Sequence, residues 1–109
     1  MKLTCEQQGD VMLLRAAGKL DAVTAPQFRE DLEQTLPPDA RRVVLDLSET
    51  PYVSSAGLRV LIVLAKQVMP RGKLAVAGLN ESVREVFELA GFDKIMTLCD
   101  DVAAALNAV

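Results

Sequence analysis

Residues 43–69 read VVLDLSETPYVSSAGLRVLIVLAKQVM. The opening run Val43-Val44-Leu45 is apolar without polar alternation, and Asp46 closes it. An unbroken apolar run of this length reads as a strand buried on both faces, near the centre of a sheet. Ser48 to Tyr52 is rich in turn formers. Ser54 and Ser55 then stand before a long apolar pattern of helical period. At about 100° per residue, Leu58, Leu61, Leu64, Ala65 and Val68 form one stripe, read as the core side. Ser55, Arg59, Ile62, Val63 and Lys66 fall on the other side, read as an exposed face suited to a partner.

On either side of this segment, strand and helix signals alternate. Residues 2 to 8 read as an edge strand, and Gly9-Asp10 as the turn of a hairpin leading into residues 11 to 17. A helix follows, with Thr24 as its N-cap, Pro26 in its first turn and Gln27 completing a capping box. Phe28, Leu32 and Leu36 supply its apolar stripe, and Pro37-Pro38 ends it. Residues 42 to 47 are the third strand. Past the serine helix, Pro70-Arg71-Gly72 turns the chain into a fourth strand at 73 to 79. Asn80 caps a third helix with Val83, Val86, Phe87 and Ala90 inward, and Gly91 sits as its C′ residue. Residues 95 to 98 are a short last strand, and Asp100 caps a final alanine-rich helix. The alternation predicts a single α/β domain spanning 1–109: a mixed, mainly parallel sheet of about five strands with about four helices and right-handed crossovers.

Composition narrows the function. The chain has 109 residues, half of them apolar, and a formal net charge of −3. A mildly acidic chain is not built for a nucleic-acid surface. No apolar run reaches the length of a membrane span, and the N-terminus lacks a secretory pattern, so a cytoplasmic protein with no membrane contact is expected. There is no histidine, which removes the commonest general base and metal ligand. Neither catalytic residues nor a bound metal or cofactor is expected. Cys5 and Cys99 are far apart in sequence and read as reduced and buried.

The serine pair carries the sharpest functional reading. One N-cap needs one hydroxyl, and two are present. The spare hydroxyl sits where free N–H groups and the positive end of the helix dipole tolerate a phosphate. Added charge there changes the affinity of whatever docks along the helix without unfolding it. Asp21 and Asp46 each follow or end a strand. They read either as loop-capping carboxylates or as groups that shape the field around Ser55.

Asp46-Leu47-Ser48 and Tyr52-Val53-Ser54-Ser55-Ala56-Gly57-Leu58-Arg59-Val60-Leu61 resemble the signature of STAS domains, among them the bacterial anti-sigma factor antagonists. Gly18-Lys19-Leu20-Asp21 and Thr24-Ala25-Pro26 resemble the family's second-strand exit and first helix. The resemblance covers nearly the whole chain and implies a STAS-like fold and partner switching. The unphosphorylated protein would bind an anti-sigma factor that is also a serine kinase, freeing the sigma factor. Phosphorylation would end the binding, and a serine phosphatase would restore it. Aligning the family glycine with Gly57 places the acceptor at Ser55 and an acidic border residue at Asp21. With the exposed face of the helix, the expected partner-binding set is Asp21, Ser54, Ser55, Arg59, Ile62, Val63 and Lys66, on a domain expected to be monomeric when free. Ser54 stands where many antagonists carry aspartate. That departure motivates the alternative, an unphosphorylated STAS interaction subunit of a transport or signalling complex.

Overall fold

Residues 43 to 47 lie in the central strand of a five-stranded sheet, and all five are buried, Asp46 included. A computed structural model describes all 109 residues. In chain order they form β1 (Lys2–Gln8), β2 (Val11–Ala17), α1 (Ala25–Thr35), β3 (Arg42–Glu49), α2 (Ser55–Val68), β4 (Lys73–Ala77), α3 (Glu81–Leu89), a 3-10 turn (Phe92–Lys94), β5 (Thr97–Cys99) and α4 (Val102–Ala108). The strands lie side by side in that same order. β1 and β2 form the antiparallel hairpin, Lys2 opposite Ala17 and Gln8 opposite Val11. Gly9 turns it with a φ of 63°. Every later pair is parallel.

Adding strands always on the same side by right-handed crossovers sends the connecting helices to one face. α1, α2, α3 and the 3-10 turn accordingly share a cluster of 23 buried residues with alternate residues of the strands, among them Leu14, Val43, Leu45, Leu47, Leu74 and Val76. The residues between, Val11, Leu13, Val44, Ala75 and Ala77, point to the other face, where Ala105 of α4 covers them. Phe87 and Phe92 meet edge to face, ring centroids 5.2 Å apart, and anchor α3 to the turn after it.

Several expectations are corrected. The buried stripe of α2 is Gly57, Val60, Leu61, Leu64, Ala65 and Val68, so Val60 joins it, while Leu58 packs against the core only half-buried. The phase is set at the helix start, where Gly57 and not Leu58 meets the neighbouring chain. Thr24 makes no side-chain cap. Its hydroxyl donates to the Lys19 carbonyl (2.8 Å) and accepts from the Asp21 N–H (2.9 Å), so the loop consumes it. Gln27 reaches forward to Asp31 instead of back to a cap. β4 stops at Ala77, because Gly78 takes a positive φ of 75° and its N–H bonds to the Cys99 carbonyl. The 3-10 turn moves the last strand to Thr97–Cys99, and Asp101, not Asp100, caps α4 by accepting from Ala104 N–H. On α3 only Val83 and Phe87 are buried; Val86 and Ala90 face solvent. Cys5 and Cys99 are free but half-buried. Burial raises both thiol pKa values, with the charges of Asp100 and Asp101 adding to it at Cys99.

Candidate functional site

Beyond β2 and β3 the two chains stay together. The Gly18 N–H donates to the Glu49 carbonyl (2.9 Å), the Leu20 N–H to the Tyr52 carbonyl (2.9 Å) and the Ser54 N–H to the Leu20 carbonyl (2.8 Å). Leu20 and Val53 form an isolated parallel bridge. The buried Thr50 hydroxyl ties this extension to the Ala16 carbonyl. The segment leaving β2 and the loop entering α2 are thus one rigid unit, and Asp21 stands one residue from the Ser54 attachment.

Gly57 explains itself here. A Cβ at this position would lie 2.6 Å from Leu20 Cγ and 3.0 Å from the Leu20 carbonyl oxygen. Its absence lets the first turn of α2 rest directly on Leu20, which is fully buried. That close approach fixes where Ser54 and Ser55 emerge.

The two serines separate. Ser54 is the N-cap in extended conformation (φ −90°, ψ 175°), and its Oγ accepts from the Gly57 N–H at 3.4 Å. Ser55 is the first residue of α2, exposed, with no protein partner for its hydroxyl. Asp21 accepts through one oxygen from the N–H groups of Val23 and Thr24, both at 3.0 Å. The Thr24 N–H, foremost among these bonds, holds its carboxyl below the ordinary value. It caps its own loop and at the same time borders the serines.

Asp46 does neither. Strand alternation gives it the face of Val44, away from α2. There it accepts from the Ser48 N–H (2.9 Å) and pairs with Arg15 (3.6 Å).

Along α2, Ser55, Arg59, Val63 and Lys66 are exposed and Ile62 is half-buried against the core. Arg59 and Val63 share a groove of about 390 Å³ with Ala22, Pro26 and Arg29 from the loop and α1. Lys66 lies beyond this groove. The sequence reading missed two large exposed side chains in the loops before α1 and α2, Val23 (86% exposed) and Tyr52 (52%). Both flank the Leu20–Val53 bridge. The signal for them was an apolar residue inside a turn segment, which helical periodicity does not register. No group of three or more His, Cys, Asp and Glu side chains is arranged to hold a metal ion. No helix is long and apolar enough to cross a membrane.

The sequence profile of the STAS domain matches residues 2–105. BtrV of Bordetella bronchiseptica is 38% identical over 109 residues, covering 99% of this chain and 94% of BtrV. The anti-sigma-B factor antagonist of Listeria monocytogenes is 31% identical over 94 residues, covering 85% of this chain and 82% of its own. The crystal structure of an anti-sigma factor antagonist from Mycobacterium paratuberculosis superposes with a TM-score of 0.91 at 25% identity, covering 99% of this chain and 92% of that one. By the matched profile, these relatives and the shared fold, the chain belongs to the STAS domain family.

Proposed function

We propose that this protein is an anti-sigma factor antagonist switched by phosphorylation on Ser55. Unphosphorylated, it binds an anti-sigma factor that is also a serine kinase, and the sigma factor is released. The kinase then transfers a phosphoryl group to Ser55, the complex dissociates, and a serine phosphatase resets the protein. The observation that carries this reading is the division of labour between the serines: Ser54 caps α2, which leaves the exposed Ser55 hydroxyl uncommitted. The antagonist relatives that match over most of the chain support the partner class.

The docking surface in this reading is Asp21, Ser54, Ser55, Arg59, Ile62, Val63 and Lys66, enlarged by Val23, Tyr52 and Arg29. A phosphate on Ser55 sits at the positive end of the α2 dipole, so the fold tolerates it. The partner meets a new dianion and its desolvation cost, so affinity falls. The test is capture of the cognate anti-sigma factor by wild type and by Ser55→Asp. Retention by wild type and loss by Ser55→Asp is the expected result. Equal retention by both overturns the switch and favours the constitutive interaction subunit, the reading motivated by Ser54 standing in place of an acidic residue.

A further inference from the structure

At the pole of the sheet opposite Ser55, the amino ends of β3 and β4 open into a cleft of about 790 Å³. Its lining carries four cationic side chains, Arg41, Arg42, Arg71 and Lys73, against the carboxylates of Asp10 and Asp39 and the main-chain carboxylate of Val109. The chain as a whole has a formal net charge of −3, so this concentration runs against its overall charge.

Arg42 is committed. It pairs with Asp10 and donates through Nε to a main-chain carboxylate oxygen of Val109 at 3.0 Å. Arg71 spends only Nε, on the Ala40 carbonyl at 3.1 Å, which leaves its terminal N–H groups free. Arg41 and Lys73 are exposed and make no ion pair. Three cations therefore border one concave surface without a carboxylate partner. The ends of α1 and α2 also face this pole, and each offers about half a negative charge. Cations answer such helix ends, and Arg42 already takes up Asp10 and the main-chain oxygen of Val109.

The arrangement is rigid. A Cβ at Gly72 would lie 1.7 Å from the Arg41 carbonyl oxygen, so only glycine allows this approach. The same oxygen accepts from the Lys73 N–H at 2.7 Å. The loop before β3 and the loop before β4 are thereby clamped, with Arg41, Arg71 and Lys73 around the junction.

We propose that this cleft binds a small phosphorylated molecule, its phosphoryl oxygens taken by Arg41, Arg71 and Lys73. Planar guanidinium forks with a neighbouring ammonium suit a phosphoryl group, the forks for bidentate bonds and the ammonium as a point charge. The site is separate from the Ser55 surface and stands whether or not Ser55 is phosphorylated.

The test is titration of the intact protein with pyrophosphate and, separately, with glycerol 3-phosphate at low salt, followed by backbone amide NMR. Saturable shifts centred on Arg41, Gly72 and Lys73 are expected. Tighter binding of pyrophosphate assigns the cleft to a diphosphate group, and tighter binding of glycerol 3-phosphate to a monoester. The exposed double variant Arg41→Gln/Lys73→Gln should weaken the tighter ligand about tenfold or more, tenfold being ~1.4 kcal/mol. Arg59→Gln, at the other pole, should leave it unchanged. Shifts that do not saturate, that centre on the start of α2, or that persist unchanged in the double variant overturn the proposal.

Discussion

Ser54 and Ser55 are neighbours with different work, and their variants should separate accordingly. Ser54→Ala removes the α2 cap. Because the cap bond is long at 3.4 Å, the loss should sit near the low end of the usual range, about 0.5–1 kcal/mol by urea unfolding. Ser55→Ala should leave stability within about 0.5 kcal/mol of wild type, since it breaks no bond. Gly57 is less forgiving. Alanine there gains about 1 kcal/mol of helix propensity, but its methyl meets Leu20 Cγ at 2.6 Å and the Leu20 carbonyl at 3.0 Å. A net destabilisation of about 1–3 kcal/mol is expected in the same unfolding experiment. A more stable Gly57→Ala would show that the contact yields. For Asp21, bonds to the charged form lower the folded pKa. Its stabilisation of the loop is therefore complete above the free carboxylate value of about 3.9 and is lost only as pH falls through the lower folded value. In a pH titration by NMR, the Val23 and Thr24 amides should hold their positions down to that free value and move below it.

At the scale of elements, α2 is one helix with two jobs. Its inner side buries Val60, Leu61, Leu64, Ala65 and Val68, while Val63 on its outer side is 38% exposed beside the groove with α1. Val63→Asp should therefore change unfolding stability by less than about 0.5 kcal/mol. It should weaken anti-sigma factor binding by about 2 kcal/mol or more, measured by calorimetry, if Val63 is a buried anchor of the complex. The sequence was readable at this scale wherever one strong local signal acted alone. Phe28, Leu32 and Leu36 are buried as their spacing required, and Asn80 caps α3 by accepting from Val83 N–H. It misled where tertiary contacts overruled a local signal. Thr24 looked like a cap, but the loop at Asp21 claims its hydroxyl. Leu58 looked like full core but is half-buried, while Gly57 rests directly on Leu20. The site was legible as a serine at a helix start. Val23 and Tyr52 were not, because their two loops are brought together by tertiary pairing, the Leu20–Val53 bridge and the hydrogen bonds beside it.

Across the whole molecule, the fold keeps the proposed switch away from its own stability. β3 is buried on both faces, the helices on one side share a single cluster, and Ser55 lies outside it. A negative charge at Ser55 falls on the favourable end of the α2 dipole. Ser55→Asp should therefore be as stable as wild type or about 0.3–1 kcal/mol more so by thermal unfolding. Its loss of binding would then reflect the surface and not the fold. The most direct test of the switch is incubation with the cognate anti-sigma kinase and ATP, followed by mass spectrometry of the intact and digested protein. The account predicts a single phosphate, located on Ser55 and absent from Ser55→Ala. No phosphate on wild type, a phosphate on Ser54, or unchanged labelling of Ser55→Ala would contradict it.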